Sequence, residues 1–320
     1  MNATDCAGQN SWPVTGVAFM FGTLLQQIVN GLTVGGIYAL IALGYTMVYG
    51  ILKLINFAHG DLCIFGAYIG LVALGMGAGT GQSHLFLLAG AFILAAVVVG
   101  VAGLVLEFTA YRPLRKADRL SAVVSALGAS LFIENGIMII WGPQLRVFPS
   151  NLLPAMHWEF AGARIDLIQV LIMLGSALLM ALLYWFVHHT RFGTAMRASA
   201  SDQDAARLMG INVNRVIASV FVIGPAIGAI GGLFIGLYYR QVYFTMGWNY
   251  GLSAFIAAII GGIGNIPGAM LGGVLLGLFN ALAAGFISSS WQEAITFALL
   301  IGILLVRPTG LLGERVAEKV

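Results

Sequence analysis

The feature that most constrains this chain is a set of long stretches without a charged side chain. Each stretch is long enough for one or two bilayer-crossing helices, which need about 20 mostly apolar residues. Because backbone polar groups in lipid must be satisfied internally, apolar runs of this length fold as helices. Four such stretches lie between Asp5 and Lys53, between Asp61 and Glu107, between Arg215 and Arg240, and between Arg240 and Glu293.

The composition excludes an ordinary soluble domain. Charged residues make up 8% of the chain and apolar residues 60%, with a mean hydropathy of +0.96. A soluble domain carries about 25% charged residues, so too few polar groups are present to cover a surface in water. The alternating pattern of an outer-membrane barrel is absent. We predict an all-α polytopic membrane protein, and the small net charge of +3 indicates no nucleic-acid partner.

Nine apolar segments are visible along the chain, and two of them are weak. The second is rich in glycine and follows several polar residues, and the seventh is short and ends in a glycine-rich turn. If either segment enters the membrane without crossing it, the chain has eight full spans rather than nine. The segments cover 24–49, 61–77, 85–108, 120–141, 167–187, 216–239, 252–262, 269–286 and 294–306.

Positive charges indicate the orientation of these segments. The run 111–119 and the loop 188–215 are rich in Lys and Arg, which favours the cytoplasmic side. Two segments separate them, so the loop 142–166 is predicted to be external. With nine spans the N-terminus is outside and the C-terminus inside. No basic residue precedes the first apolar run, so we expect that span to be retained rather than cleaved as a signal peptide.

The loop 190–215 is the most unusual polar element. Ser199 or Ser201 is placed to cap a helix of about ten residues with acidic residues in its first turn, and Gly210 suits its C-terminal end. So short a helix is marginal in water by itself. It therefore docks either into a groove of a cytoplasmic motor subunit or against its own bundle and the lipid headgroups. The residues of interest are Asp202, Asp204, Ala205, Arg207, Leu208, Met209 and Gly210.

Polar residues also occupy the junction between the first two apolar segments, at Asn56, His59 and Asp61. Asp61 is placed to cap the following helix, and the alternative is a role in a gate or an ion pair at the cytoplasmic mouth. We find no spacing of metal ligands there.

Ionisable residues inside apolar segments are costly and often functional. Glu107 lies at the end of a segment and is expected to pair with a cation or to reach the interface. Glu134, followed by Asn135, lies deep in the fourth segment and must face a protein or water-filled interior, either in a polar pathway or in a structural hydrogen bond. Arg240 and Glu293 fall near the predicted external face, where simple solvation is expected.

Glycines recur at four-residue spacing within the sixth segment, at Gly224, Gly228, Gly232 and Gly236. This spacing places them on one helix face, where small residues let neighbouring helices approach closely. We expect packing within the subunit, and the alternative is a dimer contact or a moving gate.

Motifs for enzyme chemistry are missing from the sequence. It contains no Walker A motif, no G-x-S-x-G elbow and no H-E-x-x-H. Cys6 and Cys63 lie far apart and suggest neither a disulfide framework nor a metal site. We therefore expect a chain that is not an enzyme and that binds no metal or cofactor of its own.

Several motifs, in order along nearly the whole chain, resemble one family. They are the run 30–50, Ile55-Asn56-Phe57-Ala58-His59-Gly60-Asp61, Glu107 with Ala110-Tyr111-Arg112-Pro113, Leu208-Met209-Gly210-Ile211-Asn212, the run 261–270, and Arg307-Pro308-Thr309-Gly310. Together they resemble LivH-type permeases of branched-chain amino-acid ABC importers. The external loop 142–166 matches that pattern poorly, and the N-terminal tail is longer than the pattern expects.

The resemblance implies a set of partners in the bacterial inner membrane. Such permeases pair with a second, LivM-type permease subunit, and two cytoplasmic ABC ATPases dock beneath and bind the ATP and Mg. A periplasmic binding protein delivers the amino acid. The loop 190–215 is similar to the coupling helix that such permeases present to their ATPases.

The resemblance also implies a domain organisation. Residues 1–22 are expected to form a periplasmic tail, 23–308 the transmembrane permease domain with its coupling loop at 190–215, and 309–320 a cytoplasmic tail. The candidate pathway or gate residues are Asn30, Tyr38, Asn56, His59, Asp61, Glu134, Asn135, Gly264 and Asn265.

Two alternatives stay open at this point. The same class of importer with urea, a short amide or another amino acid as cargo fits the same motifs. A self-sufficient channel or ion-coupled carrier fits less well, because it would require a relay of charges within the membrane.

Overall fold

A computed structural model of the chain describes residues 16–77, 84–115, 117–149, 152, 154 and 156–313. Over this range the protein is a bundle of helices with a few short strands. The helices are α1 (Gly16–Leu52), α2 (His59–Gly77), α3 (His84–Leu106), α4 (Arg119–Trp141), α5 (Leu167–His189), α6 (Arg191–Ser201), α7 (Gln203–Leu208), α8 (Val213–Tyr239), α9 (Met246–Gly261), α10 (Ile266–Phe286) and α11 (Gln292–Val306).

Every predicted apolar segment corresponds to one of these helices. Within the described residues, eight helical stretches are long and apolar enough to cross a membrane, and α9, at 16 residues, is a shorter apolar helix. The prediction of eight or nine spans is therefore confirmed, with α9 as the weak segment. Helix α1 begins at Gly16, so the predicted boundary between tail and permease domain at residue 22 falls inside a helix. Residues 1–15 and 314–320, with Asp5 and Cys6, lie outside the described range.

Helices α2 and α9 both begin inside the bundle. The first residue of α2, His59, places its Nε2 3.2 Å from the carbonyl oxygen of Ile41, about three turns before α1 ends. The second residue of α9, Gly247, packs against Gly60 and Asp61 in the first turn of α2. The two helix N-termini therefore meet deep within the protein.

Helices α1 and α8 form the centre of the bundle. In the most apolar part of α1, 89% of the residues are buried, whereas in the corresponding part of α11 only 6% are buried. Helix α1 packs against α8, α9 and α10, and α8 packs against α2 and α3. Helix α11 consequently lies at the edge.

The four-residue glycine spacing in α8 serves packing within the subunit. Gly224 lies against Gly44 of α1, Gly228 against His59, and Gly232 against the backbone of Cys63. Lipid does not drive apolar helices together, so close backbone approach supplies much of their attraction. The expectation of internal packing is confirmed for these positions.

At one end of the bundle, the loops that were predicted to be external contain short strands. Strand β1 (Arg146–Val147) pairs antiparallel with β4 (Gln241–Val242), and β2 (His157–Phe160) pairs with β3 (Ala163–Asp166). The β2–β3 turn places Ala161 and Gly162 at positive φ, the backbone twist that a two-residue hairpin requires.

The opposite end carries α6 and α7, and here the predicted helix is wrong in two details. The expected ten-residue helix is instead the six-residue α7, which follows α6 after a break. Ser201 is the last residue of α6 and Ser199 is buried within it, so neither caps α7. Asp202 is the cap, because its carboxylate accepts hydrogen bonds from the backbone N–H groups of Asp204 and Ala205.

Candidate functional site

A cavity of about 510 Å³ opens between α1, α8, α9, α10 and α11. It lies in the half of the bundle away from α7, because it is lined by the N-terminal half of α1 and the C-terminal halves of α8 and α10. Its size falls within the range of about 300–1,000 Å³ that is usual for small-molecule sites. Two predicted pathway residues, Asn30 and Tyr38, line it.

Amide side chains form one polar wall of this cavity. Asn30 Oδ1 accepts hydrogen bonds from Gln26 at 3.1 Å and from Gln169 at 3.0 Å. On the neighbouring helix α10, Asn280 Oδ1 accepts from the Thr296 hydroxyl at 2.8 Å. These bonds fix the amides in place and leave a wall of uncharged donors and acceptors.

Aromatic rings form the second wall. Tyr250 of α9 lies between Tyr38, with ring centroids 6.3 Å apart, and Tyr239, at 6.0 Å. Trp248 and Phe297 also line the space. The cavity is therefore apolar over much of its surface but offers several phenolic hydroxyl groups.

One charged side chain lines this cavity within the described part of the chain, and it is Glu293 at the start of α11. It shares a helix face with Phe297, one turn further on. Simple solvation near the external face had been expected for Glu293. Glu293 is exposed, in agreement with that expectation, and it also lines the cavity.

The predicted residues at the start of α2 lie in the protein core rather than in the cavity. Asn56 and His59 are buried, and Asn56 Oδ1 accepts a hydrogen bond from the Tyr111 hydroxyl at 3.0 Å. The His59 ring packs edge-on against Tyr45, with centroids 4.7 Å apart. These contacts join α1, α2 and the helical turn at Glu107–Tyr111.

Asp61 had been expected to cap α2. It is instead the third residue of that helix and therefore lies inside it. It is buried, and its Oδ2 accepts a hydrogen bond from the Ser130 hydroxyl of α4. Its other oxygen packs against Gly247 in the first turn of α9. The carboxylate therefore lies at the N-terminal ends of two helices, whose dipoles favour a negative charge.

The predicted pair Glu134 and Asn135 is divided between two environments. Glu134 is half-buried one turn beyond Ser130, and its carboxylate interacts electrostatically with that of Asp61. Asn135 is exposed and bonds to the backbone of its own helix, at Leu131. Neither residue lines the cavity.

Gly264 and Asn265 lie in the tight turn between α9 and α10, at the α7 end of the bundle. Gly264 has a φ of +98°, which favours glycine. Asn265 caps α10 through Gly268 N–H and donates to the carbonyl of Leu312 at 2.8 Å. The turn is thereby attached to residues 309–313, which were predicted to belong to a cytoplasmic tail.

Arg115 links the helical turn after α3 to the beginning of α8. Glu107 is buried and pairs with Arg115, which confirms the expectation of pairing. Arg115 also donates to Asn214 at 2.7 Å, and Arg112 lies over the Phe108 ring instead. Burial lowers the pKa of the Arg115 guanidinium, an effect that the Glu107 carboxylate opposes.

Two apolar side chains at the end of α7, Leu208 and the following Met209, are exposed. Leu208 is 89% exposed and Met209 is 83% exposed, and Ala205 is exposed beside them. Gly210 follows with a φ of +82°. Ala206 is buried on the opposite side, and Gln203 donates to the carbonyl of Ile51 at 2.8 Å. The helix is thus held on the bundle with its apolar outer side free of contacts from the described residues.

Sequence reasoning missed most of the cavity. Tyr239, Tyr250 and Asn280 come from three different segments, and no motif connects them. The density of tyrosines between 238 and 250 was the available signal.

Comparison with known proteins gives a consistent result. The family model described as "Branched-chain amino acid transport system / permease component" matches residues 27–304. The high-affinity branched-chain amino acid transport system permease protein LivH of Escherichia coli strain K12 is 43% identical over 303 residues, 92% of this chain and 97% of the relative. The corresponding protein BraD of Pseudomonas aeruginosa is 43% identical over 302 residues, 92% of this chain and 98% of the relative.

A more distant relative is the ribose import permease protein RbsC of Escherichia coli strain K12. It is 26% identical over 296 residues, 90% of this chain and 84% of the relative. Because the family model and the two relatives at 43% identity cover most of its length, the chain belongs to the family of permease components of branched-chain amino acid transport systems, which are transport subunits and not enzymes.

Proposed function

We propose that this chain is the membrane-spanning permease of an ABC importer that moves branched-chain or related hydrophobic amino acids into the cytoplasm. The observation that carries the proposal is the cavity of about 510 Å³, lined by Asn30, Tyr38 and Asn280, in a member of this family. Its amides suit the polar groups of an amino acid, and its aromatic wall suits an aliphatic side chain.

The proposed partners follow the family pattern. A second, LivM-type permease subunit covers the open side of the bundle at α11, and a periplasmic binding protein delivers the cargo. Two cytoplasmic ABC ATPases bind ATP and Mg, and this chain binds no cofactor. The exposed pair Leu208 and Met209 supports docking of an ATPase at α7, because so short a helix gains stability from a partner surface.

The proposed location is the bacterial inner membrane, with the N-terminus in the periplasm and the C-terminus in the cytoplasm. The contact of Arg115 with Asn214 supports this orientation. It brings the two basic segments, 111–119 and 190–215, to one end of the bundle, as a shared cytoplasmic side requires.

A pull-down tests the partners. The tagged chain is extracted from native membranes in mild detergent, and the co-purifying proteins are identified by mass spectrometry. We expect two P-loop ATPases and a second permease. A chain that purifies alone and still transports without ATP contradicts the proposal and favours a channel or carrier.

The cargo is tested separately, because the same class of importer with urea, a short amide or another amino acid as cargo fits the same sequence motifs. The ligand of the cognate binding protein is measured by calorimetry with leucine, urea and short amides. Binding of leucine supports the proposed cargo, whereas binding of urea or an amide alone assigns the importer to that cargo.

A further inference from the structure

The part of the cavity lining that the structure describes contains groups that attract a cation but no basic side chain that would attract an anion. Within the described residues its lining includes one acidic residue, Glu293, and neither lysine nor arginine. Five tyrosines and Trp248 provide the aromatic faces around it. Aromatic faces and carboxylates both attract an ammonium group, and neither attracts a carboxylate.

The helix N-terminus closest to the cavity is already engaged. Trp248, Asn249 and Tyr250 line the cavity from the beginning of α9, and such a helix end normally favours an anion. The buried carboxylate of Asp61, however, packs against Gly247 in the same first turn. The Asp61 side chain therefore already occupies the first turn of α9, so this helix end is poorly suited to a second carboxylate.

This wall therefore offers an opposite charge to only one of the two charged groups of an α-amino acid. Its ammonium group finds Glu293 and the aromatic rings, and its aliphatic side chain finds apolar surface. Its carboxylate finds amides and hydroxyl groups but no positive charge. Helix α11 is the least buried span, and a second subunit packed against it would complete the enclosure.

We propose that this chain recognises the ammonium end of the cargo through Glu293 and the surrounding aromatic side chains, and that the facing permease subunit recognises the cargo carboxylate. The inference rests on the proposed function as an amino-acid importer. It makes Glu293 a residue that holds the cargo during its passage.

The test uses the complete complex in proteoliposomes, with ATP inside and leucine-loaded binding protein outside. Radiolabelled leucine uptake and ATP hydrolysis are measured together for wild type, E293Q, E293D and E159Q. Glu159 is an exposed carboxylate of β2 outside the cavity lining, so E159Q makes the same change of charge as a matched control. Glu293 is exposed, so the isosteric glutamine leaves the packing intact.

We expect E293Q to lower the amount of leucine transported per ATP hydrolysed by about tenfold, because a charge-assisted hydrogen bond to the cargo is lost. ATP hydrolysis stimulated by the loaded binding protein stays near the wild-type rate, and both E293D and E159Q retain most of the uptake. The inference is overturned if E293Q transports as much leucine per ATP as the wild type, or if E159Q loses as much uptake as E293Q. Absence of uptake by the wild-type complex contradicts the proposed function instead, so the two failures are distinguishable.

Discussion

A close contact between α1 and α10 makes a quantitative prediction for Gly277→Ala. A Cβ atom added at Gly277 would lie 2.3 Å from both the N and Cα atoms of Gly35. Ordinary contact begins at 3.4 Å, so α1 and α10 must separate by about 1 Å. Overpacking of this kind costs about 1–3 kcal/mol, against a gain of about 1 kcal/mol in helix propensity from Gly to Ala.

The matched control is Gly128→Ala in α4. A Cβ atom at Gly128 meets nothing within 4 Å in the described part of the protein, so this variant receives the propensity gain without the overpacking. The two variants therefore differ by about 1–3 kcal/mol in the free energy of unfolding, with Gly277→Ala the less stable.

The assay is the apparent thermal midpoint of the chain in detergent, followed by fluorescence-detected size exclusion at one heating schedule. A fixed schedule is needed because unfolding of such proteins is commonly irreversible. We expect the midpoint of Gly277→Ala to fall several degrees below that of Gly128→Ala. Equal midpoints, or a higher one for Gly277→Ala, refute the close approach of α1 and α10 on which the fold depends.

Three further predictions concern the buried carboxylate and the exposed helix. Ser130→Ala removes the hydroxyl donor to Asp61 and should cost about 1–3 kcal/mol, measured by the same thermal assay; an unchanged midpoint contradicts that bond. Leu208→Asp replaces an apolar side chain that is 89% exposed and should abolish co-purification of the ATPases without changing the amount of permease in the membrane; retained ATPases refute docking at α7. Gly210→Val forces a β-branched residue into a φ of +82°, a strain of about 1–3 kcal/mol, and should lower ATP-driven uptake; wild-type uptake refutes the need for this turn.

The helices could be predicted from the sequence because their cause is local. Stretches without charged residues require a lipid environment, and a backbone in lipid must form helices. The C-terminal end of each predicted segment therefore lies within a few residues of the end of an observed helix. Two helices begin earlier than predicted, α1 at Gly16 rather than residue 24 and α9 at Met246 rather than residue 252. The first turn of α9 contains Gly247 and Asn249, which have low helix propensity, and its contact with Asp61 holds that turn in place.

Tertiary placement could not be predicted, because it depends on which distant segments meet. Asn56 and Asp61 form part of a conspicuous motif, yet their partners are Tyr111 and Ser130, 55 and 69 residues away. Glu293 was expected to be solvated because it lies near a segment end, and it is exposed. Its place in the lining of the cavity depends on the packing of α11 beside α10, which the sequence does not reveal.

The measurement that tests the central claim most directly is uptake by the purified complex. This chain and its co-purified partners are reconstituted in proteoliposomes, and uptake of radiolabelled leucine is followed with loaded binding protein outside. The account predicts uptake that requires ATP and that stops when a non-hydrolysable ATP analogue replaces ATP. Uptake that proceeds equally without ATP, or that never occurs with any hydrophobic amino acid, contradicts it.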